Sequence, residues 1–475
     1  MRAPVIPAAL LVSLAACSAS RTTDPRVVTD WMRLVAGAAR AEQLSPPVAA
    51  RVFAYASAAI YSGLSATTGD LPPLTGRVNE FPKLPSAGND REDPTIVAVS
   101  AERTTLDSLL HDALPTTRGA LTRLADSLIA ARNASASVQT RSEDFGRRIG
   151  LAIVAWSHGD GFDSTRGRAY TAPVGPGLWV NDAPVNWYSV QNLSGVSQGV
   201  TFDNPNNKPS GATSGDRSLI LTRPKASKTL PAVNMAGVTE PYWGYLRPFT
   251  LPRWDACVAG PPLAFDTTAG TPLYDEAKQV ADVHAHLTPE QREIALFWAD
   301  NPTETSTPAG HWMSIAAQLV AERHLSADDA AKVMLATSFA TADAFITVWR
   351  YKFKHNLTRP RPFIRRYIDP NWEPLIPSPP FPEYMAGHSA LSAAAATSLI
   401  AVVGNVPFED STHVAIGHPV RKFASIRSAG DEAGMSRIYG GIHFPSGVAV
   451  GRTVGNCVGD HVVDRLALKA SSAKP

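Results

Sequence analysis

The chain has 475 residues, of which 44% are hydrophobic, so it is long enough to form one large or two medium cores without stabilising cross-links. Its formal net charge is only +2, which argues against a nucleic-acid-binding surface and against an acidic tail. We therefore expect no nucleic-acid partner, and any positive charge that matters for function must be concentrated locally.

The first residues have the pattern of a signal peptide. Met1 and Arg2 precede a mostly apolar run from Ala3 to Ala16, and Cys17 follows. The tetrad Leu14-Ala15-Ala16-Cys17 resembles the bacterial lipobox, in which the cysteine is lipidated and becomes the mature N-terminus. Ordinary signal cleavage and an uncleaved anchor are the alternatives. We predict a signal peptide over residues 1–17 and an extracytoplasmic protein, a lipoprotein of the outer membrane or periplasmic side, otherwise secreted.

After residue 17, no apolar segment reaches the length of a membrane span. The longest, Ala390–Val403, falls short of the about 20 residues that a spanning helix needs. We expect a soluble body that touches a membrane only through an N-terminal lipid anchor. In an oxidising compartment, Cys257 and Cys457 could form a disulfide, and two buried free thiols are the equal alternative.

Helical patterns dominate the chain. Val48–Leu64 is apolar at helical spacing, and Thr288-Pro289-Glu290-Gln291 combines an N-cap, a first-turn proline and a capping-box glutamine. Ser326 begins another predicted helix, which runs to about Lys354 and is stopped by Pro360. Because no series of alternating strands accompanies these helices, we predict an all-α fold, a large helical bundle with long loops.

Between about residues 133 and 271 the composition changes, because Gly, Pro, Asn and Trp are scattered through this stretch. We interpret it as loops laid over a helical body. The predicted organisation is a helical and loop-rich N-terminal region, residues 25–285, followed by a helical core, residues 286–468, which carries the candidate functional residues.

The first candidate functional segment runs from Trp349 to Pro362. It places Lys352 near the end of a predicted helix and Arg359, held by a proline, just beyond that end. Because cations at this position also complement the helix dipole, a solvated basic helix end explains this segment when it is taken alone.

Two further segments each combine a histidine with groups that bind anions. At a predicted helix start, Gly387 lets free backbone N–H groups approach an anion, and His388 beside it can pass a proton near neutral pH. Arg437 offers a planar fork for two oxyanion oxygens, and His443, six residues later, can act as a nucleophile or as a metal ligand. A buried structural arginine and a satisfied core histidine are the alternative for the last pair.

Together the three segments match a composite pattern: Lys-x6-Arg-Pro, then Gly-His, then Ser-Arg-x5-His. The chain resembles the superfamily that joins type 2 phosphatidic acid phosphatases, bacterial acid phosphatases and vanadium-dependent haloperoxidases, in particular its haloperoxidase-like bacterial branch. The resemblance extends loosely from about Ala49 to Val463 and is sharp only in the last third. It implies a helical bundle, vanadate as the cofactor unless the protein is a phosphatase, and an oxyanion pocket formed by Lys352, Arg359, Gly387, His388, Arg437 and His443.

The first part of the pattern fits two registers, because Lys354 and Arg361 have the same spacing as Lys352 and Arg359. We choose Lys352 and Arg359. With this choice Trp349 stands three residues before the lysine, as in chloroperoxidase-type members.

The resemblance implies one of two related chemistries, because phosphate and vanadate are similar tetrahedral anions. In a haloperoxidase, His443 ligates vanadium, the cations neutralise its oxygens, and His388 moves protons while hydrogen peroxide oxidises a halide. In an acid phosphatase, His443 attacks the phosphorus of a phosphomonoester and His388 protonates the leaving alcohol. A lipoprotein that binds oxyanions without turnover is a third alternative, from a different class.

Other residues favour the haloperoxidase. The segment Phe297-Trp298-Ala299-Asp300 resembles a haloperoxidase segment whose aspartate pairs with the pocket arginine or the acid-base histidine, so we predict Asp300 as a catalytic carboxylate; a solvated helix-end aspartate is the alternative. Trp349 and Phe381 fall where chloroperoxidase-type members place aromatic residues beside vanadate, and ordinary core packing is their alternative. The missing membrane spans argue against a lipid phosphatase, and the length argues against the small acid phosphatases.

Two residues depart from the family pattern. Ala386 stands where the family has a serine that hydrogen-bonds the anion, so we expect oxyanion binding to be weaker by roughly 1.5 to 3 kcal/mol. Gly447 stands four residues after His443, where phosphatase-like members carry an aspartate that orients the histidine, and this counts more against a phosphatase. Gly447 also begins a row that predicts close helix packing in the core, formed with Gly451, Gly455 and Gly459.

Overall fold

A computed structural model of the chain describes residues 23–88, 91–166, 168–182, 238–302 and 304–468. The predicted signal peptide and the predicted lipidation site, Cys17, lie outside these residues. Within them the protein is built mainly from helices, and the only strands are two short ones that pair with each other. The all-α prediction is confirmed.

The helices before residue 170 pack as one group in which α2 and α5 both lie against α3. They are α1 (Arg26–Ala41), α2 (Pro46–Thr68), α3 (Pro94–Leu109), α4 (Pro115–Ala130), α5 (Ala136–His158) and the short α6 (Phe162–Thr165).

After the 3-10 turn Trp243–Tyr245 come the helices that position the candidate site. They are α7 (Pro272–Ala285), α8 (Pro289–Phe297), α9 (Thr307–Glu322), α10 (Ala327–His355), α11 (Pro360–Tyr367), α12 (Gly387–Val403), α13 (Ile426–Tyr439) and α14 (Pro445–Leu466). The strands β1 (Phe408–Asp410) and β2 (Arg421–Phe423) form an antiparallel pair between α12 and α13.

Two helices begin as the sequence predicts. The Thr288 hydroxyl accepts the Gln291 N–H at 3.2 Å, and the Gln291 side chain accepts the Thr288 N–H at 3.0 Å, so the capping box of α8 is present. At the start of α10 the Ser326 hydroxyl accepts the Asp329 N–H at 3.1 Å. Helix α10 ends at His355, one residue beyond its predicted end.

The prediction of loops throughout residues 133–271 is wrong for residues 136–158, which form the 23-residue helix α5. Its glycines do not interrupt the helix, because they are contact points with α3. A Cβ on Gly146 would overlap the Val97 carbonyl oxygen, and a Cβ on Gly150 would lie 2.7 Å from the Ala101 carbonyl oxygen. Glycine there serves close packing, which the composition alone does not distinguish from a loop.

The row of glycines on α14 packs against α12, as predicted. A Cβ on Gly455 would overlap the Ala390 carbonyl oxygen, and a Cβ on Gly451 would lie 2.8 Å from the Ala386 carbonyl oxygen. The two backbones can approach this closely only because the side chains are absent. The close approach brings the start of α14, next to His443, beside the start of α12, which carries His388.

Helix α10 is long and apolar enough to cross a membrane, contrary to the expectation of no such segment after residue 17. In its most apolar window 94% of the residues are buried inside the protein, because α2, α9 and α12 pack around it. Its buried Asp343, whose carboxylate accepts the N–H groups of Phe249, Thr250 and Leu251, divides the apolar run. Helix α10 therefore has the burial of a core helix.

Cys257 and Cys457 form a disulfide, so of the two alternatives the structure contains the cross-link. One cluster of buried apolar residues extends from Val27 in α1 to Leu468, just after α14, and both predicted regions contribute to it. The predicted boundary at residue 285 stays a prediction.

Candidate active site

A pocket lies where the start of α12, the end of α13 and the residues just before α14 meet, and α10 closes one side of it. Most of the predicted site residues line this pocket: Asp300, Trp349, Phe381, Gly387, His388, Arg437 and His443. Lys352 and Arg359 are fully buried behind that lining. The structure thus brings the three sequence segments together in one place.

Lys352 holds the segment that precedes α12. Its ammonium group donates to the carbonyl oxygens of Pro382 at 2.9 Å, Glu383 at 2.8 Å and Met385 at 2.7 Å. Three acceptors require three N–H donors, and only the charged form of lysine has them. Lys352 therefore adds positive charge beneath the pocket, while its N–H groups are used by the backbone.

Arg359 lies closer to the candidate anion site. Its Nε donates to the Phe381 carbonyl oxygen at 3.0 Å, and its Nη1 donates to the Ile442 carbonyl oxygen at 2.9 Å and lies 3.1 Å from His443 Nε2. Its Nη2 is buried and has no hydrogen-bond partner among the described residues. Burial lowers the pKa of Arg359 to about 10, so the guanidinium is charged at neutral pH.

Burial distinguishes the two possible registers of the first segment. Lys354 is exposed, and Arg361 pairs with Glu373 at 2.7 Å and Asp182 at 3.0 Å. Because Lys352 and Arg359 are the buried pair, the structure favours the register chosen from the sequence.

Arg437, near the end of α13, is the cation that lines the pocket itself. Its Nε donates to the Ser436 hydroxyl at 2.9 Å, and its Nη2 donates to the Trp298 carbonyl oxygen. Burial lowers the pKa of Arg437 to about 10. These contacts fix the plane of the guanidinium at the pocket wall.

His443 is held by a carboxylate that the sequence analysis did not identify. Its Nδ1 lies 2.8 Å from Glu383 Oε1, which also accepts the Phe444 N–H at 3.1 Å. With Nδ1 donating to Glu383, the lone pair lies on Nε2, the nitrogen that faces Arg359. Burial and the charge of Arg359 hold the pKa of His443 well below its usual range, so the ring is neutral.

The sequence-based inference that Gly447 leaves His443 without an orienting carboxylate is therefore wrong. A Cβ on Gly447 would lie 2.5 Å from Glu383 Oε1, so the carboxyl group occupies the space beside this glycine. Glu383 stands in the segment Pro382-Glu383-Tyr384, directly before the Gly-His pair. The nearby acidic residue beside the Gly-His pair was the signal in the sequence that could have identified it.

His388 lies in the first turn of α12. Its side chain is 18% exposed, yet its Nε2 is buried without a hydrogen-bond partner among the described residues. Burial and the charge of Arg437 hold the pKa of His388 well below its usual range. Gly387 beside it leaves open space, because a Cβ there would find its nearest neighbour, the Trp349 ring, 3.9 Å away.

Asp300 is fully buried and lies within ion-pair distance of His388, one of its predicted partners, but makes no hydrogen bond to it. His388 Nε2 is 3.9 Å from its carboxylate, too far for a hydrogen bond. Instead, Asp300 accepts from His311 Nδ1 at 3.0 and 3.1 Å. The alternative of a solvated aspartate is wrong, because β1 and the start of α9 enclose Asp300. Arg437, the other predicted partner, interacts with Asp300 through its charge.

His311 joins two buried aspartates, since its Nε2 lies 3.0 Å from Asp410 Oδ2. His413 packs against the His311 ring, and its Nε2 is 3.6 Å from Asp300 Oδ1. We call these four residues the aspartate–histidine cluster. Sequence reasoning missed three of them, because the partners are up to 113 positions apart, from Asp300 to His413, and no local pattern links them.

Charge inside the aspartate–histidine cluster is balanced by contact. Burial opposes a charge on His311, but Asp300 and Asp410 raise its pKa to about 10, so the ring is doubly protonated. Burial also opposes the charge on Asp300, yet His311 holds the pKa of Asp300 below its usual range. Burial and the charged His311 lower the pKa of His413 to about 3.

Trp349 and Phe381 form an aromatic wall of the pocket, with their ring centroids 4.9 Å apart. The Trp349 Nε1–H donates to the Thr239 carbonyl oxygen at 3.1 Å. Lys352 and Arg359 lie 5.2 and 5.0 Å from the Phe381 ring centroid, within cation–π range. The two rings therefore both line the pocket and pack in the core.

The residues present fit a tetrahedral oxyanion such as vanadate or phosphate. Three buried cations face one buried carboxylate, Glu383, since Asp300 is compensated by His311. In the part of the chain that the structure describes, Arg359 Nη2 and His388 Nε2 are buried polar atoms without partners. Such atoms are costly unless a ligand satisfies them, and His443 Nε2 offers a lone pair toward the same place.

Comparison with known proteins agrees with this arrangement. A family model described as the VCPO second helical-bundle domain matches residues 332–471, the part that carries most of the pocket. No curated protein sequence matches the chain.

Among solved structures, the chain is similar to the first bacterial vanadium-dependent iodoperoxidase, with 29% identity, a TM-score of 0.76, and coverage of 93% of this chain and 96% of the other. It is also similar to a bacterial vanadium-dependent chloroperoxidase in apo form, with 13% identity, a TM-score of 0.62, and coverage of 89% and 94%. For a holo form of a bacterial vanadium-dependent chloroperoxidase the identity is 16%, the TM-score 0.61, and the coverage 95% and 97%. The two chloroperoxidase matches concern the fold alone.

Proposed function

We propose that this chain, which belongs to the vanadium haloperoxidase superfamily, is an enzyme that oxidises a halide with hydrogen peroxide while vanadate is bound in the pocket. The observation that carries the proposal is the setting of His443. Glu383 accepts the Nδ1 proton, so the lone pair lies on Nε2. This nitrogen is 3.1 Å from Nη1 of the buried Arg359, whose Nη2 has no partner among the described residues. The nitrogen proposed as the ligand therefore lies among buried positive charges.

The residues that would hold vanadate are His443, Arg359 and Arg437, with the amides at the start of α12. When bound, vanadate supplies a Lewis-acidic centre that activates peroxide toward the halide. Lys352 strengthens the positive field and fixes the segment before α12, because its N–H groups are bonded to backbone carbonyls. Trp349 and Phe381 keep one side of the pocket apolar.

His388 is our candidate for the proton-transfer residue. In the reaction, halide loses two electrons to hydrogen peroxide, the O–O bond breaks, and one proton is consumed as hypohalous acid and water form. His388 Nε2 has no protein partner among the described residues and lies at the pocket wall. It can take a proton from solvent and donate it to the departing oxygen. Asp300, 3.9 Å away, supports the charged form of His388 through its own charge.

An acid phosphatase is the second candidate, because the Glu383–His443 pair is also what a nucleophilic imidazole requires. His443 would attack phosphorus, and His388 would protonate the leaving alcohol. The objection based on Gly447 no longer separates the two functions, so assays have to do so.

The deciding experiment uses residues 18–475, purified and divided into a vanadate-loaded and a vanadate-free sample. Iodide, bromide and chloride are each offered with hydrogen peroxide, and a phosphomonoester is offered to the vanadate-free sample. We expect halide oxidation that depends on vanadate. Hydrolysis without halide oxidation would replace the proposal by the phosphatase.

Replacing His388 by alanine tests the non-catalytic alternative. We expect turnover to collapse while binding of vanadate or phosphate, measured by calorimetry, survives. A wild-type protein that binds the anion but turns over none of these substrates would support a binding protein instead.

We also propose that the mature protein is a lipoprotein anchored through Cys17. The Cys257–Cys457 disulfide supports an oxidising compartment. Expression of the full chain in a bacterium should give a membrane-associated protein whose N-terminal residue is a lipid-modified Cys17, and Cys17→Ser should release it from the membrane fraction. A mature N-terminus elsewhere, seen by mass spectrometry, would contradict the proposal.

A further inference from the structure

The carboxyl group of Glu383 contacts His443 and occupies the space that a side chain at position 447 would fill. Glu383 is 0% exposed, and its Oε1 receives both the His443 Nδ1–H and the Phe444 N–H. A Cβ on residue 447 would lie 2.5 Å from Oε1, 3.1 Å from Oε2 and 3.2 Å from the carboxyl carbon. Any side chain at position 447 therefore competes with the Glu383 carboxyl group for the same space.

We infer that Glu383 is the positioning residue for His443. Gly447 makes this possible, because it has no side chain that would displace the Glu383 carboxyl group. The inference deepens the proposed function and rests on it only for the activity readout. The carboxylate thus comes from the segment before α12, whereas in the phosphatase-like pattern it comes from position 447, in the first turn of α14.

A structural role in neutralising Lys352 does not explain the contact. All three Lys352 N–H groups are used by the carbonyl oxygens of residues 382, 383 and 385. The carboxyl group of Glu383 instead turns to His443. The carboxyl group is fully buried, and its Oε1 accepts from the His443 Nδ1–H and the Phe444 N–H. A buried carboxylate is costly unless it is hydrogen-bonded, and these two N–H groups supply the bonds.

The chemical consequence concerns both nitrogens of His443. A carboxylate on Nδ1 fixes one tautomer, so the Nε2 lone pair stays directed at the anion site, and it makes that nitrogen a better donor to a bound oxyanion. Without the carboxylate, the His443 ring can turn or change tautomer, and the 3.1 Å contact between Nε2 and Arg359 is no longer fixed.

The test is an exchange of the carboxylate between the two positions, with Glu383→Ala, Gly447→Asp and the double variant E383A/G447D. The tautomer of His443 is measured by nitrogen-15 NMR of the vanadate-free protein, inorganic phosphate and vanadate affinities by calorimetry, and halide oxidation separately. We expect each single variant to lose about 10- to 100-fold in vanadate affinity. The double variant should recover at least about tenfold of that loss and restore the Nδ1–H tautomer.

Glu383→Gln keeps the shape and an acceptor oxygen but removes the charge, so it should keep the tautomer and lose affinity to a smaller extent. The matched control is Glu276→Gln. Within the described parts of the chain, this nearby carboxylate accepts hydrogen bonds from Ser446 in α14, at 3.0 and 3.1 Å from the backbone nitrogen and 2.7 Å from the hydroxyl. Because Glu276 acts on Glu383 through its charge rather than through a hydrogen bond, this control should leave the His443 tautomer unchanged and alter anion affinity less than Glu383→Gln does.

An unchanged tautomer and an unchanged vanadate affinity in Glu383→Ala would overturn the inference, and so would a double variant no better than either single one. If Glu383→Ala does not fold, Glu383→Gln decides through affinity. If the wild-type protein oxidises no halide, the proposed function fails, yet the tautomer and the recovery of phosphate binding still decide the role of Glu383.

Discussion

Two buried polar regions lie side by side in this protein and differ in whether their polar atoms have hydrogen-bond partners within the protein. In the aspartate–histidine cluster, each ring nitrogen of His311 has its own carboxylate, and Asp410 also accepts the Thr412 N–H at 2.9 Å and its hydroxyl at 2.7 Å. In the oxyanion pocket, Arg359 Nη2 and His388 Nε2 are buried without partners among the described residues.

This difference indicates where stability and function reside. A buried ionic group that is fully paired by the protein adds little that a ligand could improve, whereas an unpaired one has a free-energy cost of several kcal/mol. The polar groups of the cluster are paired with one another, while the pocket keeps polar groups that an anion could satisfy. We therefore expect substitutions in the cluster to change folding, and substitutions in the pocket to change binding and turnover.

The largest effect should come from His443→Ala. Loss of the ligand nitrogen is expected to reduce halide oxidation by about 10⁴-fold, with little change in the free energy of unfolding, because the cluster is untouched. Steady-state assays with vanadate present, together with urea unfolding, measure the two effects. A large loss of stability with residual activity would contradict the assignment of function to the pocket and of stability to the cluster.

Asp410→Ala should produce the opposite pattern. It leaves the charged His311 ring with one partner, so the free energy of unfolding should fall by about 3–5 kcal/mol, while phosphate affinity changes little. Asp410→Asn, which keeps an acceptor oxygen, should lower the free energy of unfolding by less than Asp410→Ala does. Because the pKa of His311 is raised to about 10, its contribution is present in full below its ordinary pKa and is lost as the pH rises through about 10. The variant should weaken that alkaline loss, which urea unfolding at several pH values would reveal.

Ala386→Ser should strengthen the pocket. A hydroxyl that bonds a charged oxygen contributes roughly 1.5 to 3 kcal/mol, equivalent to about 10- to 150-fold in vanadate affinity. Calorimetric titration of wild type and variant measures the gain, and Ala386→Val is a control of larger size without a hydroxyl. An affinity that does not improve would mean that the serine position does not reach the anion in this chain.

The smallest effect is a pH dependence of anion binding. The pKa of His388 is held below its usual range in the anion-free protein, and a bound anion raises it, so the complex holds more protons. Phosphate affinity should therefore rise as the pH falls between those two pKa values, by at most about tenfold per pH unit after correction for the protonation of phosphate itself. The dependence should be flat in His388→Ala; a flat wild-type profile would assign the proton to another group.

The sequence predicted the parts of the site that are local in the chain. Lys352 and Arg359, Gly387 and His388, and Arg437 and His443 are each separated by a few residues, so their spacing survives as a readable pattern. The all-α fold and the close contact of α12 with α14 were also predictable, from capping signals and from the glycine row.

The completing contacts were not predictable, because each joins residues that no short pattern connects. Glu383 meets His443 across 60 positions, and His311 meets Asp410 across 99. Helix α5 was missed for a related reason, since Gly146 and Gly150 are explained only by the neighbouring helix α3. In each case the structural role of a residue depends on a partner that tertiary packing brings close.

The Cys257–Cys457 disulfide closes a covalent ring of 200 residues, and every pocket and cluster residue named above lies inside that ring. In the chain-entropy model a ring of this size restricts the unfolded chain by about 5 kcal/mol. A protease that cuts once within the ring cannot separate the pieces, and both halves of the pocket stay tethered for reclosure. We propose that the protein works outside the cytoplasm, where no ATP-driven chaperone refolds it. There, the disulfide would keep the pocket residues in one covalent molecule after a single cut.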